Sequence, residues 1–347
     1  MSFRYIGSKA KLVGSILEYI GRPDGNKFVD AFCGTGAVAE AASRAGWPVL
    51  VNDHLVSSAM MSVARVISRK QLSYSHVGGY ERTVAELDSA TPFPGFIWRE
   101  YSPASAGHCA TERKYFTEQN AQRIDGIRKQ ISTWLSEGVI TNFEAYILIA
   151  DLMRAANRVA NTAGTYGCFL SKWQRQSLHR LELFPRSLPE SGPDASMSNR
   201  DVLDVECTPD DTVYLDPPYT KRQYAAYYHI LETIAIGDEP KVEGVCGIRP
   251  WRHIASDYCY KARAAEALVK LVATIPARRV FLSYSTEAHV PLEILSEMLQ
   301  SVGTVMRHDL EVVGRYRPNR AASVGGSQVG EVLFYVEKPV NNDAVVP

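Results

Sequence analysis

The chain has 347 residues, 46% of them hydrophobic, and its 38 basic and 38 acidic side chains give a formal net charge of zero at pH 7. A large core in one or two domains is therefore possible, and the charge balance neither requires nor excludes a nucleic-acid partner, because a local basic patch can bind one. The six cysteines include no C-x-x-C pair and no apolar run is long enough to span a bilayer, which argues against a zinc site, a disulfide framework and a membrane protein.

Short apolar, β-rich runs predict strands, and helical segments lie between most of them. Strands that alternate with helices are typical of a doubly wound, mostly parallel sheet of the Rossmann-like kind. The predicted strands lie at 27–32, 48–53, 212–218, 278–285 and 331–338. The predicted helices beside them lie at 37–46, 262–275 and 291–303.

The alternation of strands and helices is interrupted in the middle of the chain, where the readable segments, 111–138 and 142–161, are helical. We therefore predict a helical domain inserted into a discontinuous sheet domain. The predicted boundaries are 1–60 and 196–340 for the sheet domain, 61–195 for the inserted helical domain, and 341–347 for a flexible tail.

A basic segment lies near the end of this middle region. Residues 154–186 contain six Lys or Arg side chains and one acid, with aromatic residues between them. Such a segment suits a nucleic-acid surface, and an ordinary solvated face over a small core explains it equally well. The candidate DNA contacts here are Arg154, Arg158, Tyr166, Lys172, Trp173 and Arg175.

A glycine turn follows the first predicted strand, in the stretch FVDAFCGTGAVAEAA. Gly34 and Gly36 let the backbone turn tightly before a helix, and the start of a helix favours a polar or anionic ligand. Asp53, at the end of the next strand, can accept hydrogen bonds from both hydroxyls of a ribose. This pattern also fits dinucleotide enzymes, but no Gly-Lys-Ser/Thr follows, which argues against a nucleoside triphosphatase.

Asp30 favours S-adenosylmethionine over a nicotinamide cofactor. Its carboxylate lies within the turn, where it suits a ligand ammonium and would be poorly placed beside a pyrophosphate. A turn residue at the end of a strand, without a ligand, is the alternative.

The stretch TVYLDPPY ends a predicted strand on a carboxylate, which two prolines and a tyrosine follow. Asp216 and the carbonyl of Pro217 can accept hydrogen bonds from both N–H groups of an exocyclic amine on a nucleobase, which makes its nitrogen a better nucleophile. Pro217 and Pro218 fix the backbone and remove competing donors. Tyr219 can stack on a base that has left the duplex, so direct transfer of a methyl group from sulfonium to nitrogen is the predicted chemistry.

Taken together, these motifs resemble the Dam-like N6-adenine DNA methyltransferases in which the cofactor motif precedes the catalytic one. The resemblance covers both ends of the chain, through RYIGSKAKL (4–12), FVDAFCGTGAVAE (28–40), VND (51–53), NRDVLD (199–204), YLDPPY (214–219), VFLSYS (280–285) and the closing EVLFYVEK. It implies a seven-stranded sheet whose last pair is reversed, and a variable insert that reads the DNA sequence. The middle region matches only loosely, through NTAGTYGCFLSKW (161–173), so the recognised DNA sequence is not predicted.

The resemblance also assigns residues to roles. Asp216, Pro217, Pro218 and Tyr219 match the catalytic motif. Lys9 matches a lysine close to both cofactor and target, Asp53 matches the ribose acid, and the pair at 201–202 flanks the cofactor's adenine. The full set of implied cofactor residues is Tyr5, Gly7, Lys9, Asp30, Phe32, Gly34, Gly36, Asp53, Asp201 and Val202. Ala31 stands where the family often has a proline, and we expect little effect from this difference.

Two further basic segments are candidate phosphate contacts. Lys221 and Arg222 follow the catalytic motif, and Arg315, Arg317 and Arg320 lie in a glycine-containing segment without acids. A plain solvated hairpin explains the second segment equally well.

The predicted function is site-specific transfer of methyl from S-adenosylmethionine to the N6 of a flipped adenine in double-stranded DNA, in restriction-modification or epigenetic marking. N4-cytosine methylation uses the same acceptors, although Asp rather than Ser at position 216 favours adenine. An inactive DNA-binding protein with the same fold is the other alternative. The opening residues lack the apolar core of a signal peptide, so we expect a cytoplasmic protein. We also expect that the protein requires no metal. A companion restriction endonuclease is a possible partner. The sequence does not predict the oligomeric state.

Overall fold

The structure, a computed structural model, describes residues 9–310, 313–314 and 328–339. Backbone contacts divide the chain into two compact units. Among the described residues, the sheet unit comprises 9–54, 193–223 and those from 256 onward, and the helical unit comprises 55–192 and 224–255. The predicted tail at 341–347 lies outside the described residues.

A seven-stranded sheet forms the centre of the sheet unit, in the order β3-β2-β1-β4-β5-β9-β6. The strands β1 to β5 run parallel to one another, and β9 is antiparallel to both of its neighbours. In chain order the strands are β1 (Phe28–Asp30), β2 (Val49–Asn52), β3 (Ala195–Ser198), β4 (Thr212–Leu215), β5 (Arg279–Ser285), β6 (Thr304–Asp309), β7 (Val313–Gly314), β8 (Gln328–Val329) and β9 (Glu331–Glu337), of which β7 and β8 form a separate pair.

The helices fall into two groups. Those of the sheet unit are α1 (Val13–Ile20), α2 (Ala37–Arg44), α10 (Ala264–Thr274) and α11 (Leu292–Leu299). Those of the helical unit are α3 (Val56–Val66), α4 (Tyr80–Asp88), α5 (Phe96–Tyr101), α6 (Glu118–Ser136), α7 (Asn142–Val159), α8 (Tyr224–Tyr227) and α9 (His229–Ile236).

The predicted fold class, a Rossmann-like, mostly parallel sheet of seven strands, is confirmed. The central strands β1, β2 and β4 are buried along their whole length, as expected for strands covered on both faces. The sequence pattern missed β3 and β6, which are the two edges of the sheet. β3 has serine at two of its four positions and β6 is largely exposed, so neither has the apolar run that identifies a central strand.

Residues 224–255 pack with the helical unit, whereas the sequence analysis placed them in the sheet domain. The reason is the apolar helix α9, which contacts α3 and α7. Its Glu232 is buried and accepts hydrogen bonds from the backbone N–H groups of Val56 (3.0 Å) and Ser57 (2.9 Å) and from the Ser57 hydroxyl (2.7 Å). One carboxylate therefore satisfies the otherwise unpaired donors at the start of α3.

In the part of the chain that the structure describes, no helix is both long and apolar enough to cross a membrane. The same residues contain no cluster of three or more His, Cys, Asp or Glu side chains that could hold a metal ion.

The Glu232 contact predicts a stability effect in the helical unit. Glu232→Ala leaves two buried N–H groups without partners, and we expect the free energy of unfolding to fall by about 2–4 kcal/mol. Chemical denaturation measures this change. The exposed Glu137, changed to Ala in the same unit, should alter stability by less than about 0.5 kcal/mol; equal effects of the two substitutions would contradict the capping role.

Candidate active site

Three carboxylates lie at the carboxyl edge of the parallel strands. Asp30 is the last residue of β1, Asp53 follows β2 directly and Asp216 follows β4 directly. Because β1 pairs with both β2 and β4, the three strand ends are neighbours. This edge is where open α/β sheets bind their ligands.

The glycine turn after β1 has the conformation that its sequence predicts. Gly34 and Gly36 have φ values of 50° and 76°, in the left-handed region that favours glycine. The N–H of Gly34 donates to Asp53 Oδ2 at 3.0 Å, and the N–H of Ala39 in the first turn of α2 donates to Asp30 Oδ2 at 3.2 Å. Backbone N–H groups of the turn and of the helix after it therefore hold the carboxylates of Asp53 and Asp30.

Asp30 retains one oxygen for a ligand. Its side chain is buried, and Oδ1 has no hydrogen-bond partner among the described residues. Burial, and then the nearby charge of Asp216, raises the pKa of Asp30 well above its ordinary value. A buried carboxylate that lacks a partner suits a cationic ligand group, so the residues present fit an ammonium-bearing cofactor.

Asn52 holds this edge together and was not singled out from the sequence. Its buried amide nitrogen donates to the carbonyls of Ala31 and Arg200, both at 3.2 Å, and its Oδ1 accepts from the N–H of Arg200 at 3.1 Å. The end of β1 is therefore fixed against the loop after β3. An asparagine that ends a fully apolar strand was the available signal.

The pair Asp201 and Val202 lies in this same loop. Asp201 is exposed and its Oδ1 accepts from the N–H of Leu203 at 2.9 Å, whereas Val202 is buried. Tyr258 contacts Phe32 edge to face, with ring centroids 5.7 Å apart. Burial raises the pKa of Tyr258, and the charge of Asp201 adds to this rise. Phe32, the 201–202 pair and Tyr258, which the sequence analysis missed, thus occupy one neighbourhood.

Asp216 forms a buried ion cluster with Lys9 and Glu331. Lys9 Nζ lies 3.0 Å from Asp216 Oδ1 and 3.2 Å from Glu331 Oε2. The side chains of Lys9 and Glu331 are 4% and 9% exposed, whereas that of Asp216 is 16% exposed. Asp216 is therefore the member of the cluster that a ligand can reach most readily.

The pKa values of the cluster reflect competing effects. Burial raises the pKa of Asp216 to about 6, the Lys9 ammonium opposes this rise, and the charge of Glu331 adds to it. Burial lowers the pKa of Lys9, but the charge of Asp216, together with that of Glu331, outweighs burial and holds that pKa well above its ordinary value. At neutral pH the cluster thus contains an ammonium and an ionised Asp216.

Tyr219 borders the same cluster. Its hydroxyl donates to Glu331 Oε1 at 3.3 Å, and Lys9 Nζ lies 5.0 Å from its ring centroid. The ring packs edge to face on Tyr284, and burial raises the pKa of the phenol. Between Asp216 and Tyr219, Pro217 is buried and Pro218 is partly exposed.

Glu331 is a further site residue that the sequence analysis did not identify, although it predicted the strand. Glu331 is the first residue of β9 and pairs with Ser285, the last residue of β5. Because β9 is antiparallel, its start lies at the edge where the parallel strands end. The sequence feature that could have identified Glu331 is an acid at the beginning of the last, reversed strand.

The predicted DNA contacts differ in exposure. Arg154 and Arg158 donate to the carbonyls of Phe184 and Glu182. Tyr166 is buried and its hydroxyl donates to Asn157 Oδ1 at 3.2 Å, so its ring is not at the surface, where a contact with DNA would need it. Trp173 is partly buried, and four basic side chains are exposed, namely Lys172, Arg175, Lys221 and Arg222.

Several predicted site residues lie outside the described residues. They are Tyr5 and Gly7 of the cofactor set and Arg315, Arg317 and Arg320 of the DNA set.

Comparison with known proteins identifies relatives of similar sequence. The chain is 31% identical to Type II methyltransferase M.FokI of Planomicrobium okeanokoites over 97% of its own length and 53% of that protein's. It is 30% identical to Modification methylase StsI of Streptococcus sanguinis, over 98% and 54% of the two lengths. With Type II methyltransferase M.NlaIII of Neisseria lactamica the identity is 32%, over 90% and 89%. The chain thus spans about half the length of the first two relatives and most of the third.

A model of one protein family covers the glycine turn, the DPPY motif and the region between them. It matches residues 5–295 and describes the D12 class N6 adenine-specific DNA methyltransferases. The chain belongs to the D12 class N6 adenine-specific DNA methyltransferase family.

Proposed function

We propose that the chain transfers a methyl group from S-adenosylmethionine to the N6 amino group of an adenine in double-stranded DNA, at a specific sequence. The observation that carries this proposal is the position of Asp216. Its carboxylate follows β4 directly, at the sheet edge that also holds Asp30 and Asp53, and it is kept ionised at neutral pH beside Lys9. An acceptor of hydrogen bonds therefore lies beside a turn that fits the methyl donor.

The residues at the glycine turn would hold the cofactor. When bound, S-adenosylmethionine supplies an electrophilic methyl group on a sulfonium. The unpartnered Oδ1 of Asp30 suits the ammonium of its methionine part, and Asp53 suits the ribose hydroxyls. Phe32, Asp201 and Val202 suit the adenine ring and its edge.

The DPPY segment would activate the target amine. Asp216 and the carbonyl of Pro217 accept hydrogen bonds from the two N–H groups, which localises the lone pair on nitrogen and stabilises the positive charge that grows there during attack. Asp216 does this as a carboxylate, because a protonated carboxyl would itself be a donor. The base must leave the duplex to reach this edge, and the ring of Tyr219 offers a surface for stacking.

The wider role also forms part of the proposal. The relatives' names, type II methyltransferase and modification methylase, support a role in DNA modification alongside a restriction endonuclease. Exposed basic side chains of the helical unit, such as Lys172 and Arg175, are available for phosphate contacts, in keeping with target recognition by this unit. The proposal includes a cytoplasmic location, in keeping with a DNA substrate.

Transfer of labelled methyl groups tests the proposed function. Purified chain is incubated with methyl-tritiated S-adenosylmethionine and unmethylated genomic DNA, and the DNA is hydrolysed and its nucleosides separated. Label in N6-methyladenine is the expected result. Label in N4-methylcytosine would contradict the choice of base, and unlabelled DNA would favour the inactive DNA-binding protein.

The role of Asp216 predicts the effect of its removal. Asp216→Ala should lower kcat at least about 100-fold, because a stabilising partner of the developing charge is lost, while cofactor affinity changes little. Single-turnover transfer and calorimetric titration measure the two quantities. Near-normal turnover in this variant would overturn the proposed mechanism.

The position of Asp53 predicts a different effect. Asp53→Ala should weaken cofactor binding about 10- to 100-fold, as expected for the loss of hydrogen bonds to a charged acceptor. Asp210→Ala, which removes an exposed acid of the same unit that is paired with Arg278, is the matched control. Equal cofactor affinities of the two variants would remove Asp53 from the ribose site.

The pKa of Asp216 predicts a pH dependence. Its carboxylate accepts hydrogen bonds only when ionised, so kcat should fall as the pH falls through about 6. The Lys9 ammonium lowers this pKa, and Lys9→Met should therefore move the acid limb of the kcat profile to higher pH. The control is Lys27→Met, at a lysine paired with Asp211 in the same unit, which should leave the acid limb in place. An acid limb that does not move in Lys9→Met would contradict the effect of Lys9 on the pKa of Asp216.

A further inference from the structure

The carboxylate of Glu331 has no role in the mechanism above, yet it is buried against the group that carries the reaction. It lies 3.2 Å from the Lys9 ammonium through Oε2, and Oε1 accepts from the Tyr219 hydroxyl at 3.3 Å. One oxygen therefore faces the lysine that is paired with Asp216, and the other faces the catalytic segment. Burying a carboxylate costs desolvation free energy that can exceed what pairing with an ammonium returns, and a glutamine of the same shape would avoid that cost. Packing alone therefore does not explain why glutamate rather than glutamine occupies position 331.

We propose that Glu331 is a positioning residue for methyl transfer, which shares the Lys9 ammonium so that Asp216 keeps a free oxygen and an incompletely neutralised negative charge for the target amine. The inference rests on the proposed function. One ammonium faces two carboxylates here, at 3.0 Å and 3.2 Å, so neither carboxylate is fully neutralised. Lys9 contacts Oδ1 of Asp216, which leaves Oδ2 for the substrate.

Without Glu331 the balance of the cluster changes. Lys9 would have Asp216 as its single anionic partner in the cluster, and a cation and a carboxylate in a dry site form a close pair. The ammonium would then compete directly with the amine for the oxygens of Asp216. The net charge of the three groups would also rise from minus one to zero, so the attraction for positive charge on the attacking nitrogen would weaken.

The hydroxyl of Tyr219 is the second reason to assign Glu331 to the site. A base that stacks on this ring needs the ring held in one orientation. The bond to Glu331 fixes the ring from its hydroxyl end, while Tyr284 packs against its side. Glu331 thus positions the acceptor and the stacking surface together.

The groups that face Asp216 come from several elements. Lys9 precedes α1, Glu331 begins β9 and Tyr219 follows Asp216 in the chain. Tyr214 on β4 and Asp30 at the end of β1 also interact with its charge. Of these, the lysine and Glu331 act on the pKa of Asp216 in opposite directions, because the lysine lowers it and Glu331 raises it.

These opposite effects predict the direction in which the pKa of Asp216 moves in each variant. Glu331→Gln keeps the size of the side chain and should lower kcat about 10- to 100-fold, as the loss of a supporting partner does around other reactive groups, with the KM values for DNA and cofactor within about twofold. The acid limb of the kcat profile should move to lower pH, opposite to its movement in Lys9→Met. Glu337→Gln, at the other end of β9 and roughly 20 Å away along the strand, is the control and should behave as wild type.

A purely structural role predicts a different result. If Glu331 only held Lys9 in place, its loss would loosen the pair with Asp216 and move the acid limb to higher pH, as in Lys9→Met. That direction, or a kcat within twofold of wild type, would overturn the proposal, as would a loss confined to KM. Thermal unfolding of each variant establishes that the chain remains folded.

A measurement without substrate separates this proposal from the proposed function. The ¹³C carboxyl resonance of Asp216 is titrated in the chain alone, as wild type, Glu331→Gln, Lys9→Met and Glu337→Gln. The pKa of Asp216 should fall in Glu331→Gln, rise in Lys9→Met and stay unchanged in Glu337→Gln. An unmoved pKa in Glu331→Gln would overturn the role of Glu331, whereas a wild-type chain that labels no DNA would overturn the proposed function.

Discussion

The ion pair between Lys9 and Asp216 is the interaction on which the site depends. The sheet brings the carboxylates of Asp30, Asp53 and Asp216 to one edge, where burial raises the pKa of Asp30 and of Asp216 and the charge of Asp216 adds to the rise at Asp30. Lys9 is the cation that the structure places beside Asp216, and it keeps this carboxyl ionised at neutral pH. Asp216 is therefore a carboxylate that accepts hydrogen bonds rather than a neutral acid that donates one.

The topology of the sheet explains why these groups meet. Parallel strands bring all their carboxyl ends to one edge, and the reversed β9 brings its amino end to that same edge. Asp216 and Glu331 therefore lie on opposite sides of β5, one after a parallel strand and the other at the start of an antiparallel strand. The reversal of the last strand thus contributes a side chain to the site as well as closing the sheet.

The helical unit uses much of its charge internally. Arg186 lies 2.7 Å from Asp151 and is largely buried, and Arg154 and Arg158 donate to backbone carbonyls. The contacts of Arg154 and Arg158 satisfy the carbonyls of Phe184 and Glu182 in the irregular segment after α7. The basic side chains of this unit therefore fall into two groups. These arginines make contacts within the unit, whereas Lys172 and Arg175 are exposed.

The sequence by itself determined the central strands, the glycine turn and the acids that end β1, β2 and β4, because apolar runs, left-handed glycines and strand-ending carboxylates are local signals. It did not reveal β3 and β6, whose edge positions remove the apolar signal, nor the packing of 224–255 through Glu232. Only the tertiary structure decided that Glu331 shares Lys9 with Asp216. That contact joins residues more than a hundred positions apart in the chain, and its strength depends on distance and burial, which no local pattern encodes.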